Sequence, residues 1–554
     1  MNLKVLIYAI NSKYIHSALA PWCLYKAIND NCKNVQCKVI EGTINETLEK
    51  HIDVLKNESF DLIGFCTYIW NVDLVNELCE QIKKDREVIT VLGGPEVSYN
   101  IKEHIMKPYV DYVISGEGEI PFSKLCDGIH PSQIDGVSYK ENGQLFISEA
   151  FVSKSLSNMP YTEEYLENLH NRIAYIETSR GCPNRCSYCL SGRCGNVKFF
   201  DIEEAKNNIV LLANSGTKTI KFVDRTFNAS KKRADEIFRF IIENYGEKLP
   251  QGVCFHFEID GSIIDEETIE ILKDAPQGSI QLEIGIQSFN ELTLKSINRR
   301  NNLEKLVENI RALVELGNIH IHIDLIVGLP YENIESLEQS FNKAYMLKAQ
   351  MLQLGFLKIL HGSDIENIAI KEYDYSKSAP YQIISNPWIT RGEMEKIHTC
   401  EHFFDKIYNS GRFQRTCDYI VSVYKNPFKA FMDFSNYASS IASLNSLDDL
   451  TKAVYEYFAK VENADKNRLR DLLVMDRLST NQSGAIPEFL KIHSPLIKAI
   501  SKKLDESEST RRKKGIKRAI SLLSDMKKFV YVDYDMENPV NKQFLLYEKD
   551  INNI

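Results

Sequence analysis

The stretch RIAYIETSRGCPNRCSYCLSGRCG, residues 172–195, decides the fold. Its first eight residues read as a strand, and a tight loop crowded with cysteine follows. Cys182, Cys186 and Cys189 stand in C-x3-C-x2-C spacing. Three neighbouring thiolates suit an iron–sulfur cluster or a zinc ion. A closed zinc site usually takes four ligands in two pairs, and no second pair is near, although Cys194 could supply a fourth ligand. Three thiolates on a four-iron cluster leave one iron open to a further ligand. Gly181 and Pro183 suit a turn whose amides point toward sulfur.

Strand-like runs recur downstream at residues 219–224, 252–259, 279–286, 320–328 and 351–360. Helical patterns such as 202–213 and 303–316 separate them. Six βα units over residues 171–365 predict a partial barrel with its site at the carboxyl ends of the strands. Upstream, short apolar runs at 4–10, 37–42, 61–69, 88–94 and 109–116 alternate with amphipathic segments. That pattern predicts an α/β, doubly wound parallel sheet over residues 1–135, whose ligands bind where the strand order reverses. Residues 136–170 read as a hairpin around Asn142-Gly143 and a linker. Beyond residue 366 the strand signal fades, and a mainly helical region to residue 554 is expected, with YNSGRF (408–413) as a turn. The basic run from Arg511 to Arg518 follows Asp505, Glu506 and Glu508 and reads as a solvated helix face.

The barrel segment resembles the radical S-adenosylmethionine (SAM) superfamily. The resemblance rests on the cysteine spacing after a first barrel strand and extends over residues 172–365. It implies a [4Fe-4S] cluster on Cys182, Cys186 and Cys189 whose open iron chelates SAM, and reductive cleavage of SAM to methionine and a 5′-deoxyadenosyl radical. By position Tyr188 matches the aromatic residue beside the adenine. Glu258 in FEID, Gln287 in EIGIQSF, Arg299 in INRR and Asp324 in HIDLIVGLPYE resemble the SAM ligands of the coproporphyrinogen-dehydrogenase-like branch. Arg299 suits the methionine carboxylate through a paired, charge-assisted contact, and Gly285 and Gly328 allow backbone to approach the ligand. The Gly-Gly-Glu-like turn that holds the methionine amino group in many members is FVDRTFN here, so Asp224 or Asn228 is the expected substitute.

The first domain resembles the cobalamin-binding domain of such enzymes. VLGGPEVS (91–98) and YVISGEGEIPF (112–122) carry the likeness, placing Gly93, Gly94, Pro95, Gly116, Glu117 and Gly118 along the corrin and its tail. Thr67, Tyr68 and Trp70 stand at the end of the third strand, where a corrin edge would pass. The first loop, YIHSAL, has His16 in register with the cobalt-ligating histidine of D-x-H-x-x-G proteins. Tyr14 and Leu19 replace the Asp and Gly of that motif, so cobalt ligation by His16 is not expected.

The resulting expectation is an enzyme using a [4Fe-4S] cluster, SAM and cobalamin, with methyl transfer to an unactivated carbon as the leading activity. Methylthiotransfer, a non-methylating rearrangement and a non-catalytic corrinoid or redox sensor are the alternatives. The methylthiotransferase pattern wants a second cysteine cluster, whereas Cys23, Cys32, Cys37, Cys66, Cys79 and Cys126 are scattered. The 554 residues are 44% hydrophobic and 26% charged with net charge −9, which argues for a globular protein and against wholesale nucleic-acid binding. No apolar run of about 18 residues suggests a membrane span. A cytoplasmic setting, a small-molecule or peptide substrate, and an electron donor such as flavodoxin or ferredoxin are expected.

Overall fold

The computed structural model describes residues 2–156, 159–193, 196–300, 302–441, 443–507 and 516–553. Cys194 and residues 511–515 of the basic run lie outside them. The chain divides into two compact units, one of residues 1–283, 295–301 and 356–387, the other of 284–294, 302–355 and 388–554.

The first unit begins with a seven-stranded sheet. Its strands are β1 (Leu3–Asn11), β2 (Val35–Thr43), β3 (Leu62–Cys66), β4 (Ile89–Gly93), β5 (Tyr112–Ile114), β6 (Val137–Glu141) and β7 (Gln144–Phe146), in the order β2-β1-β3-β4-β5-β6-β7. The first five are parallel, and β6 and β7 add antiparallel as the expected hairpin. Its turn residues Asn142 and Gly143 both have positive φ, 51° and 78°, the backbone that a two-residue hairpin needs. Along β1, Val5 and Ile7 enter one apolar cluster, while Leu6, Tyr8 and Ile10 enter another on the opposite face. A strand buried on both faces needs a continuous apolar run, which is why KVLIYAI shows no polar alternation. The order reverses between β1 and β3. There the buried Asn71 amide donates to Ile10 O at 3.0 Å and Cys66 O at 3.1 Å, stitching the two strand ends.

The second series supplies β8 (Ile173–Ile176), a short antiparallel ladder of β9 (Ser179–Arg180) with β10 (Lys198–Phe199), then β11 (Thr219–Phe222), β12 (Cys254–Ile259), β13 (Ile280–Gln287), β14 (His320–Val327) and β15 (Met351–Phe356). The barrel sheet runs β15-β14-β13-β12-β11-β8, an open, partial barrel as expected. Burial alternates strictly. Ile220, Phe222, Phe255, Phe257, Leu282 and Ile284 are buried, while Lys221, His256, Glu258 and Glu283 between them are partly exposed. Period two places these polar side chains together on the other face of the sheet.

The free edge of β8 is covered by the loop after β1. Ile173 N donates to Ile15 O at 2.7 Å and Ser17 Oγ donates to Ile173 O at 2.7 Å. Arg172 donates to the carbonyls of Tyr14 and His16 and pairs with Glu41 at 2.6 Å. This satisfies an edge that would otherwise present unpaired backbone.

After β16 (Asp374–Tyr375) and β17 (Ile383–Ser385), the carboxyl-terminal region is mainly helical, as expected. Thr390 and Glu393 form a capping box at the start of Arg391–Phe404. Phe404, Phe428, Phe431 and Phe434 are buried there. The sequence reading missed an antiparallel sheet of β18 (Arg518–Leu522), β19 (Lys528–Glu537) and β20 (Phe544–Asp550). Of YNSGRF, read as a turn, Tyr408 and Asn409 close a π-helical segment and residues 410–413 turn the chain; the Asn409 amide exchanges hydrogen bonds with both backbone groups of Leu352 on β15.

Candidate functional site: the cysteine loop and its surroundings

β8 delivers the chain to the cysteine loop, and the β9–β10 ladder closes the loop at its base. Within it, a Cβ on Gly192 would lie 2.4 Å from Asn184 O, so the chain folds tightly back on itself. Cys189 N donates to Cys186 O at 3.1 Å, Ser187 N to Ile297 O, and Ile365 N to Ser187 O. The loop is thus held from both sides by the segments around residues 297 and 365.

The thiols are lightly engaged. Cys182 Sγ lies 3.3 Å from Thr226 Oγ1, and Cys189 Sγ accepts from Ser191 N at 3.4 Å. Cys186 is buried and Arg299 Nη1 donates to its Sγ at 3.7 Å. Burial pushes the Cys186 thiol up, and the Arg299 guanidinium opposes that. Three thiolates are the donor set that holds a four-iron cluster with one iron open.

Around the loop, Tyr188 shares Cys186 with Arg299. Glu258 Oε1 lies 3.4 Å from Lys221 Nζ, and Arg225 stands 3.9 Å from Oε2. Lys221 also pairs with Glu283 at 3.2 Å, and Glu283 with His256 at 2.8 Å. In the second unit, Gln287 ends β13 with φ 70° and a buried Oε1 that has no hydrogen-bond partner among the described residues. Such a left-handed backbone on a non-glycine residue costs of order 1–3 kcal/mol and gathers at functional positions. Asp324 Oδ1 lies 3.0 Å from His322 Nε2.

Two expected residues are already committed. Asp224 accepts from Thr178 N, Thr178 Oγ1 and Ser179 Oγ at 2.8, 2.7 and 2.6 Å. Asn228 exchanges two hydrogen bonds with the backbone of Asp260. Both anchor the loops on either side of FVDRTFN.

In the first sheet, Gly94 has φ 113°, and a Cβ there would meet Thr67 O at 2.5 Å; Gly116 has φ 85°, and a Cβ would meet Phe151 O at 2.2 Å. Both glycines are required by the chain's own backbone. Gly93 and Gly118 are less crowded, with nearest atoms at 3.7 and 3.3 Å. Pro95 opens the short helix after Gly94. Thr67 is fully buried with an Oγ1 that lacks a partner among the described residues. Tyr68 and Trp70 stack at 4.3 Å, and Trp70 is exposed at the switch point. Glu117 is tied to Arg180 and Lys198. His16 Nδ1 lies 2.7 Å from Tyr175 Oη.

The sequence reading did not single out Arg180, Lys198, Ser288 or Glu332. Ser288 Oγ donates to Glu332 Oε1 at 2.5 Å and Ser340 Oγ to the same oxygen at 3.1 Å. The available signal was position: Ser288 follows Gln287, and Glu332 ends the quoted GLPYE.

Three family matches cover most of the chain. Residues 5–126 match the B12 binding domain, 176–344 the radical SAM superfamily, and 371–543 a family of unknown function, DUF4080. An uncharacterized methyltransferase of Pyrococcus horikoshii is 23% identical, with 60% of this chain and 74% of that protein covered. The cobalamin-dependent radical SAM methyltransferase TokK of Streptomyces tokunonensis is 26% identical over 50% of this chain and 43% of its own length. The chain thus spans less than half of TokK. Among solved structures, the cobalamin-dependent SAM radical enzyme OxsB, with aqua-cobalamin and SAM bound, shares the fold with a TM-score of 0.60 at 12% identity, covering 92% of this chain and 81% of OxsB. These matches give the chain a B12-binding domain on the doubly wound sheet, followed by a radical SAM domain on the open barrel.

Proposed function

We propose that this protein is a cobalamin-dependent radical SAM methyltransferase acting on an unactivated carbon. The observation that carries it is the cysteine loop: three lightly engaged thiols, with Arg299 donating to the middle one. Cys182, Cys186 and Cys189 hold the cluster. Arg299 and Glu258 bind SAM through its carboxylate and its hydroxyl or amino groups, with Tyr188 beside the adenine. Gln287 and Asp324 take part in SAM binding by their positions on β13 and β14. Thr67, Tyr68, Gly93, Gly94, Pro95, Gly116 and Gly118 form the cobalamin face of residues 1–135, and Glu117 supports it through its ion pairs. When bound, the cluster and SAM supply a substrate-derived radical and cobalamin supplies the methyl group. The chain's own residues orient these groups and exclude water. Residues 171–365 form the barrel domain and 366–554 a domain whose chemistry is unassigned.

Radical SAM enzymes commonly use a reductant; a flavodoxin or ferredoxin in the cytoplasm fits that need. No helix among the described residues is long and apolar enough to cross a membrane. Methylthiotransfer is disfavoured by the first domain's cysteines. Cys37 and Cys126 pack in or beside one apolar cluster, Cys66 is buried in β3, and burial pushes the thiols of Cys37 and Cys66 up to about 12.

The test is anaerobic reconstitution with iron, sulfide and cobalamin. About four irons per chain and 5′-deoxyadenosine on reduction are expected, both lost in Cys186→Ala. Methyl-labelled SAM with a host extract, read by mass spectrometry, should reveal added methyl groups. Stoichiometric zinc without charge-transfer absorbance would overturn the reading.

A further inference from the structure

Arg180 stands on β9, two residues before Cys182, and joins three carboxylates. Its Nε and Nη2 fork onto Glu177 at 2.9 and 2.7 Å. Nη2 also reaches Glu119 Oε1 at 2.9 Å, and Nη1 reaches Glu117 Oε2 at 3.2 Å. Its cross-strand partner Lys198 takes the other oxygen of Glu117 at 2.6 Å and also donates to Ser153 O at 3.0 Å. The side chains of Arg180, Glu117, Glu119 and Glu177 are between 12% and 19% exposed. Glu177 belongs to the strand end that launches the cysteine loop. Glu117 and Glu119 flank Gly118 in the loop after β5.

The chemistry of this cluster is specific. A guanidinium can satisfy several carboxylates at fixed angles, which a lysine ammonium cannot do. Without it, three poorly solvated carboxylates would face Lys198 alone, and their repulsion would part the two loops. At β8 the sheet and the barrel also meet, through backbone hydrogen bonds and the Arg172–Glu41 pair. At the two glycine- and cysteine-bearing loops, they meet through charge.

We propose that Arg180 is a positioning residue that fixes the cobalamin-bearing loop Gly116-Glu117-Gly118 at a set distance from the cluster-bearing loop. The proposal rests on the function proposed above. Methyl transfer to a carbon radical demands that both cofactors address one substrate atom, and an error of an ångström there costs rate heavily. Arg180 sets that alignment through Glu117 and Glu119 and touches neither cofactor.

The experiment uses the full chain, purified anaerobically with its cluster reconstituted. Hydroxocobalamin affinity is read by absorbance. The spin–spin interaction between bound cobalt(II) and the reduced cluster is read by pulsed electron paramagnetic resonance. Arg180→Gln should weaken hydroxocobalamin binding at least tenfold and lengthen or broaden the cobalt–cluster distance, with iron content and SAM binding retained. Arg180→Lys should restore part of the affinity. Adding Glu119→Gln to Arg180→Gln should recover affinity by removing one repelling charge. Lys198→Gln, which loses one carboxylate contact rather than three, should shift both readouts the same way by less, and it decides the matter if Arg180→Gln does not fold. Hydroxocobalamin affinity and spin distance indifferent to these changes would overturn the proposal alone. No hydroxocobalamin binding by the unaltered protein would overturn the cobalamin reading, and this proposal with it.

Discussion

Asp224 and Glu332 are two buried carboxylates that follow strands of the barrel, β11 and β14, and their surroundings differ. Asp224 accepts three hydrogen bonds, and both its oxygens are used. Glu332 receives two hydroxyls on Oε1, while Oε2 is buried without a partner among the described residues. Burial raises both, Asp224 to about 6 and Glu332 to about 7. Three donors on an ionised Asp224 argue for keeping it charged at neutral pH. For Glu332, one unsatisfied oxygen makes the neutral form the better fit. The difference separates a completed anchor from an incomplete one. Asp224 fastens Thr178 and Ser179 just before the cysteine loop, whereas Glu332 clamps Ser288, next to the strained Gln287 whose own Oε1 is unpartnered.

Removing the completed anchor should have the largest effect. Asp224→Ala strands three donors, each worth about 1–3 kcal/mol when buried and unmade. The loss should be on the order of 3–5 kcal/mol of stability, with poor iron retention, as read by thermal unfolding and iron analysis. Retention of cluster and stability would show that the cysteine loop does not depend on this anchor.

The incomplete anchor should reveal itself through pH. Glu332 binds its proton more tightly folded than unfolded, so its contribution is fully present below about 4.5, its ordinary value, and is lost as pH rises through about 7. The whole shift amounts to roughly 3 kcal/mol. Glu332→Gln keeps an oxygen for Ser288 and Ser340 and cannot ionise. Urea unfolding at pH 5 and pH 8 should show a fall in the natural protein that the variant lacks. Equal falls in both would assign the pH dependence to other groups.

A smaller effect is expected where a side chain serves the ligand. Arg299→Ala removes a charge-assisted contact, so SAM affinity should fall by roughly 1.5–3 kcal/mol. The cluster spectrum should survive, because arginine is no iron ligand. Loss of the cluster together with affinity would place Arg299 among the residues that assemble the loop, alongside Asp224.

The same contrast explains what the sequence revealed. The two sheets and the cysteine spacing were legible because strands buried on both faces, or alternating on one, leave a pattern in residue order. β18–β20 escaped because KFVYVDYD follows a helical stretch and the basic run, with no βα rhythm to frame it. Gly94 and Gly116 drew notice as glycines for a corrin to lie against, whereas the requirement the fold shows comes from Thr67 and Phe151, a packing fact that no local motif records. Asp224 drew notice as a strand-end carboxylate, but its partners at 178 and 179 lie 46 and 45 residues away. Arg180 was passed over because its meaning resides in Glu117 and Glu119, more than 60 residues upstream.

The smallest expected effect belongs to His16, and it tests whether a motif in register can be emptied of its function by packing. The loop bearing His16 is fixed as an edge cover on β8, through Ile15, Ser17 and the Arg172 contacts to Tyr14 O and His16 O. Its Nδ1 is 2.7 Å from Tyr175 Oη, and burial with Lys13, Lys221 and Arg172 nearby lowers its pKa, favouring the neutral ring. Neutrality alone would suit a metal ligand, but ligation also needs a ring aimed by a partner such as the aspartate that Tyr14 replaces. Here the ring is aimed by a barrel tyrosine. Bound cobalt(II) should therefore show no superhyperfine splitting from an axial histidine nitrogen. His16→Ala should leave that spectrum and hydroxocobalamin affinity unchanged, and lower stability by no more than about 1 kcal/mol for one lost hydrogen bond. Nitrogen splitting that disappears in His16→Ala would mean that the ring leaves Tyr175 for cobalt, and that the edge cover on β8 rearranges when cobalamin binds.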